Sequence, residues 1–165
     1  MPLTSLSMRA LEPGDADWVT ATLQQAWGSV WVARKGERLD ASAFPGHVAV
    51  FEGGRVGLAI VVARGDQYEV LSLQALIEGQ GIGRALMQQC FEKARSMGCL
   101  RVWLTTTNNN VRAFEFYQRL GMNMCAFHRD GVAVSRLFKP SIPLRDEHGV
   151  AIAHELEFEL VLHDQ

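Results

Sequence analysis

Residues 77–87, IEGQGIGRALM, place Gly79, Gly81 and Gly83 at alternate positions where a strand pattern gives way to a helix pattern. Glycine costs conformational entropy, and a helix start needs no such run. The physical use of a glycine-rich turn at this point is the close approach of a ligand to the backbone. A phosphate fits best, because a helix N-terminus offers unpaired N–H groups and the positive end of a dipole. Two familiar phosphate loops are excluded. A nucleoside-triphosphate loop follows its last glycine with Lys and then Ser or Thr, whereas Arg84 and Ala85 follow here. A dinucleotide fingerprint counted from Gly79 needs a sixth-position glycine, which is Arg84, and an acid near the end of the next strand, where Thr105, Thr106 and Thr107 stand.

The elements that must position this loop are legible in the apolar spacing. A short strand at 8–11 precedes a turn, and Asp15 can cap a helix running to about Trp27, with Val19, Leu23, Ala26 and Trp27 on one face. Residues 28–46 read as irregular and polar, with room for one or two helical turns. The runs HVAVF, VGLAIVVA and YEVLSLQAL, separated by glycine-bearing turns, predict an antiparallel meander. Ile82, Leu86, Cys90, Ala94 and Met97 then mark a helix face over 82–97, stopped by Gly98. CLRVWLTTT is a strand with Leu100, Val102 and Leu104 on one face. Strand, helix, strand over this length is a right-handed crossover, so strands 68–76 and 99–107 should run parallel. A second helix, NNNVRAFEFYQRLG, starts at an Asn and stops at Gly121, and MNMCAFH is a strand. After a loop containing KPSIPL, HELEFELVL alternates Leu156, Phe158, Leu160 and Leu162 against Glu155, Glu157 and Glu159. The predicted class is α+β, with a mixed, mostly antiparallel central sheet, one parallel strand-helix-strand crossover and flanking helices.

The 165 residues suit a single domain, 48% of them apolar and 21% charged, which is ordinary globular composition. A net charge of −2 with no basic run argues against a nucleic-acid partner. No apolar run is long enough to span a bilayer, and the opening MPLTSLSMRALEPGD lacks the pattern of a secretory leader, so a cytoplasmic setting is expected. Cys90, Cys99 and Cys125 are odd in number and not spaced as metal ligands, and all three read as reduced packing residues.

EGQGIGRAL together with NNNVRAFEFYQRLGM resembles the GNAT superfamily of acyl-CoA-dependent N-acyltransferases. Gly81 and Gly83 match that family's [Gln/Arg]-x-x-Gly-x-Gly turn, and Asn110, Ala113, Tyr117 and Gly121 match its Asn-x-x-Ala-x-x-x-Tyr helix. Element order extends the resemblance over nearly the whole chain, as one GNAT-like domain spanning residues 1–165. Two departures stand out: Glu78 replaces the usual Gln or Arg, and Met122 replaces an aromatic residue after Gly121. A carboxylate facing a pyrophosphate would be repelled, so Glu78 should point away or Arg84 should replace its contact.

The resemblance implies acetyl-CoA as donor, with no metal. Its pyrophosphate would sit on the amides of Gln80, Gly81, Ile82, Gly83 and Arg84. Its pantetheine arm would pair with the main chain of the strand at 70–75, at Leu73 and Ala75, and an amide there could polarise the thioester carbonyl. Asn110 could cap its helix, reach the cofactor, or do both, and Ala113 belongs to the same cofactor-binding set. Tyr117 would be the general acid that protonates the departing thiolate, although its spacing with Val111, Phe114 and Leu120 also suits a packing residue. Glu69 is the leading candidate base, with His128 second and one tooth of a half-exposed strand as the alternative for Glu69.

The implied function is transfer of an acetyl group directly to a primary amine of a small acceptor. No Gly-x-Ser-x-Gly motif is present to suggest a covalent acyl-enzyme. A noncatalytic acyl-CoA-binding regulatory module is the alternative, supported by Glu78, and a thioesterase is a more distant one. Glu69, Glu155, Glu157 and Glu159 suggest a cationic acceptor, unless the last three are simply a solvated strand face. The motifs read the donor, so the acceptor and the oligomeric state, a homodimer included, stay open.

Overall fold

The alternating and continuous apolar runs fold as strands, and the period changes where the glycine turn stands. The computed structural model describes residues 5–163; residues 1–4, which begin the segment read for a leader, lie outside it. Among the described residues the order is β1 (Ser7–Ala10), α1 (Ala16–Trp27), β2 (Trp31–Arg34), β3 (Glu37–Asp40), β4 (Gly46–Phe51), β5 (Gly54–Arg64), β6 (Gln67–Ala75), α2 (Ile82–Ser96), β7 (Arg101–Thr107), α3 (Val111–Arg119), β8 (Asn123–His128), α4 (Gly131–Phe138) and β9 (Glu155–Val161). Seven strands follow the order β1-β4-β5-β6-β7-β9-β8, while β2 and β3 form a separate hairpin. The fold is α+β, mostly antiparallel, with β6 and β7 as the parallel pair.

The chain divides into two compact units, one of Met1–Val30, Ala41–Val102 and Val161–Gln165, the other of Trp31–Asp40 and Trp103–Leu160. In the first, β1, β4, β5 and β6 form an antiparallel meander with pairs such as Met8↔Ala49, Val48↔Leu58 and Ala59↔Leu73. β5 is buried continuously from Val56 to Val62, as a strand covered on both faces must be. One cover is α2, whose Ile82, Leu86, Met87, Cys90, Phe91 and Ala94 are buried. The large ones contribute roughly 1.5–3 kcal/mol each by leaving water. Gly57 lets this helix come close: a Cβ there would lie 2.5 Å from Ile82 Cγ2 and 2.9 Å from Leu86 Cδ1. α1 reaches β6 through Trp27, whose indole N–H donates to Ser72 Oγ at 3.3 Å.

Three readings of this unit are corrected. Asp15 does not cap α1 with its side chain. Its buried carboxylate instead accepts from Arg9 Nη1 and Nη2 at 2.7 and 2.9 Å, from Arg55 Nε at 2.8 Å, and from the Glu12 N–H at 2.8 Å. Two guanidinium groups outbid helix amides that water can reach. Met97 is 49% exposed because the helix has already ended: Gly98 N–H donates to Arg95 O and Cys99 N–H to Ala94 O, the paired bonds of a Schellman stop. Leu100 is likewise exposed, since β7 begins one residue later.

In the second unit, residues 31–40 form the β2–β3 hairpin rather than irregular chain, turning at Lys35 (φ 52°) and Gly36 (φ 72°). Successive positive-φ residues make the tight turn that suits twisted strands. α4 occupies part of the stretch read as a loop, and β8 pairs with β9 antiparallel from Asn123↔Glu159 to His128↔Glu155. β9 is a strand as its alternation predicts, but Glu155 and Glu157 are 3% and 5% exposed, so a solvated glutamate face is ruled out at both.

Candidate functional site

The loop between β6 and α2 begins at the exposed Glu78 and turns through Gly79 (φ 72°). Gly81 then occupies the N-cap of α2 at φ 75°, ψ 15° and makes no side-chain cap bond. A non-glycine residue in that left-handed conformation costs roughly 1–2 kcal/mol. The first amide bonded back to the loop is Ala85 N–H, to Gly81 O at 3.0 Å. The amides of Ile82, Gly83 and Arg84 belong to the opening turn, which has no intrahelical partners. No acidic residue stands in that turn, so its dipole is not neutralised locally, and Arg84 is exposed beside it. Ile82 anchors the turn from below at 1% exposure. Open amides at a helix N-terminus are the parts of an anion cradle.

β6 leads into this cradle. Leu73 and Ala75 lie opposite Ala59 and Gly57, Leu73 half-buried and Ala75 exposed. Between Val70, which pairs with Val61, and Ser72, which pairs with Ile60, Leu71 is left without a partner. This bulge was not read from the sequence, because the adjacent apolar residues Val70 and Leu71 carry no sign of which one is skipped. Bulges bend a strand and re-aim its groups beside functional sites. Glu69 lies just before it, opposite Val62 and 2% exposed, so it is a buried group and not one tooth of a half-exposed strand. Cys90 and Cys99 are buried, and burial pushes the Cys90 thiol up to about 12 and Cys99 above its usual value, which suits packing. Cys125 is exposed, so the packing reading fails there; its thiol faces the Glu157 carbonyl oxygen at 3.5 Å.

The second unit carries the Asn-x-x-Ala-x-x-x-Tyr helix. Asn110 is the N-cap of α3 but makes no side-chain cap bond; its amide donates to Thr106 Oγ1 at 3.3 Å. The capping role is therefore corrected: an Asn with φ −86° and ψ 65° is outside the usual cap geometry. Ala113 and Tyr117 follow on the half-buried face of α3. The Tyr117 ring lies 5.1 Å from Phe116 and 5.8 Å from Phe158, so it does pack, whatever its hydroxyl does. Gly121, at φ 91°, ends the helix as read.

The group that sequence reasoning missed lies around β9. Glu155 accepts from the Lys35 N–H at 3.2 Å and from Ser135 Oγ at 3.1 Å. Glu157 accepts from Lys35 Nζ at 3.1 Å and lies 2.5 Å from His128 Nε2. Burial pushes the Glu157 carboxyl up, but His128 and Lys35 outweigh it and hold it below its usual value. His128, a candidate base, is thus tied to a carboxylate. Among the described residues no three His, Cys, Asp or Glu side chains gather as metal ligands, and no helix is long and apolar enough to cross a membrane.

Residues 13–122 match the family model described as Acetyltransferase (GNAT) family. The chain belongs to the GNAT acetyltransferase family. A Bacillus subtilis (strain 168) relative, the uncharacterized protein YdhI, is 37% identical over 137 residues, covering 82% of this chain and 86% of its own. A Streptomyces lavendulae streptothricin acetyltransferase is 43% identical over 47 residues, which is 28% of this chain and 25% of that one. Among solved structures, a GNAT family acetyltransferase from Elizabethkingia anophelis with acetyl-CoA bound superposes with a TM-score of 0.67 at 15% identity, over 96% of this chain and 99% of that one. The GNAT match takes in Glu69, the cradle from Gln80 to Arg84, and Asn110, Ala113 and Tyr117; it stops short of His128, Glu155 and Glu157. Membership supports an acyltransferase.

Proposed function

We propose that this GNAT chain is an N-acetyltransferase that moves an acetyl group from acetyl-CoA directly to a primary amine of a small, cationic acceptor. The observation that carries the reading is the α2 N-terminus, where Gly81 in the left-handed region opens a helical turn that holds no acidic residue. Gln80 to Arg84 would hold the donor's pyrophosphate, and the main chain of Leu73 and Ala75 its pantetheine arm. The amine nitrogen attacks the thioester carbonyl carbon, the carbon–sulfur bond breaks, and the products are an amide and free coenzyme A thiol. Glu69 takes the proton from the amine, and Tyr117 gives one to the leaving sulfur. Asn110 and Ala113 belong to the donor side of the same scheme, and no metal enters it. The cationic acceptor is supported by the carboxylates Glu69, Glu155 and Glu157, which are buried.

The experiment is incubation with acetyl-CoA and a panel of primary amines while free thiol is followed. Thiol release that requires the amine supports the transferase. Binding of acetyl-CoA without release would mean a noncatalytic acyl-CoA module, and release without amine would mean a thioesterase.

A further inference from the structure

Lys35 is an unusual occupant of a hairpin turn. It sits at φ 52°, where a side-chain-bearing residue is strained, while Gly36 takes the second positive φ of the turn, 72°. The strain is offset by two contacts from one residue. Its N–H reaches Glu155, and its ammonium reaches Glu157 at 3.1 Å. The same Nζ stands 4.6 Å from the centre of the Trp103 ring. Glu157 is nearly closed to water at 6% side-chain exposure, while the Lys35 side chain is 34% exposed. An acid wall and an indole face, open to solvent on the lysine's side, are the parts of an ammonium-recognition slot.

Two further facts single this slot out from an ordinary ion pair. Thr105 occupies the same face of β7 as Trp103, two residues away, and its hydroxyl is buried with no partner among the described residues. Gly131, at the start of α4, leaves room for Glu155: a Cβ there would meet Glu155 Oε1 at 2.8 Å. The other charged groups around the slot are accounted for. Arg34 bonds Glu37 at 2.8 Å and lies 5.7 Å from the Trp103 centre, and His128 takes the other oxygen of Glu157.

We infer that the Glu157–Trp103 slot is a binding site for a primary ammonium on an unbranched alkyl chain, and that Lys35 fills it with its own ammonium in the unliganded protein. A ligand of this kind displaces the Lys35 side chain into water and leaves the carboxylate paired. The inference deepens the proposed transferase, and rests on that reading only for its link to catalysis. An amine must be neutral to attack a thioester, whereas the slot holds a charged one. The acceptor class it selects is therefore a compound with two amines, one held here as ammonium and one free to react.

The test does not need acetyl transfer. Lys35→Met should lower the unfolding temperature, because Glu157 loses its cation. n-Butylammonium chloride should restore it saturably, 1-butanol should not, and the double variant Lys35→Met, Glu157→Gln should gain nothing. In the wild-type protein, 1,5-diaminopentane should quench indole fluorescence saturably, at concentrations about tenfold above those Lys35→Met requires; Trp103→Phe should remove the signal, and Glu157→Gln should weaken binding. The fluorescence titration decides the matter if Lys35→Met does not fold. Absence of rescue in a folded Lys35→Met, rescue by 1-butanol, or a signal unchanged in Trp103→Phe would overturn the inference. These results leave the transferase reading untouched, and an inactive protein that still shows the rescue would leave the slot standing.

Discussion

Replacing Asp15 by Asn tests a buried charge cluster of the first unit. Asp15 is 2% exposed and accepts four hydrogen bonds, three of them from Arg9 and Arg55. A hydrogen bond to a charged group contributes about 1.5–3 kcal/mol when well buried. The arginine side chains are 34% and 37% exposed, so water screens part of that value. Asn keeps one acceptor oxygen and turns an N–H toward guanidinium donors, so some bonds survive in weaker form and others are replaced by repulsion. The net cost should be about 2–3 kcal/mol, or roughly 4–12 °C in Tm for a chain of this size. The Arg9 hydrogen bonds lead the forces holding the Asp15 carboxyl well below its usual value of 3.8. A carboxyl lowered on folding contributes stability that is present above its unfolded value and lost as pH falls. Urea unfolding should therefore show the full gap between wild type and Asp15→Asn at pH 7, narrowing by about 1.4 kcal/mol for each pH unit below 3.8. Glu12→Gln is the control, since its carboxylate is 67% exposed and 3.9 Å from Arg9, and it should cost under about 0.5 kcal/mol. An Asp15→Asn protein as stable as wild type at pH 7, or a gap unchanged in acid, would refute the reasoning.

Gly81→Asp should weaken acetyl-CoA binding by more than about tenfold in calorimetry, because it adds a carboxylate and backbone strain where φ is 75°; undiminished affinity would place the donor elsewhere. Gly57→Ala should cost about 1–3 kcal/mol in urea unfolding, since its Cβ would lie 2.5 Å from Ile82, and should weaken acetyl-CoA binding by shifting the start of α2. Tyr117→Phe keeps the ring contacts with Phe116 and Phe158, so it should fold normally and lose about 10²–10⁴ in single-turnover rate. An unchanged rate would leave Tyr117 a packing residue.

What was legible in the sequence followed from short-range rules. The meander, the apolar stripe Ile82, Leu86, Cys90 and Ala94, and the Gly98 stop depend on nearest neighbours, and the structure has them. The glycine at the start of α2 was legible for the same reason, since a left-handed N-cap is a local demand. What stayed hidden depends on partners distant in sequence. Nothing near Glu155 and Glu157 announces that Lys35, Ser135 and His128 will cover them, so alternation alone turned them toward water. Asp15 precedes a helix and so resembles a cap, until Arg55 arrives from β5. The β2–β3 hairpin escaped because its turn uses Lys35 as the first positive-φ residue, where Asn or Asp is the usual signal.

The backbone tie between Leu162 and Leu100 has a consequence for the order in which the chain is made. Leu162 donates its N–H to Leu100 O at 2.8 Å, and its side chain is 8% exposed. On the ribosome, β4, β5, β6 and α2 emerge as one local run able to collapse at once. The carbonyl of Leu100 then waits through the synthesis of all of residues 103–160 before its donor is made. Closing so long a loop is slow, although it adds little extra entropy for its length. The meander and α2 can therefore form on local contacts alone, whereas the bond that accepts at Leu100 depends on almost the last residue made.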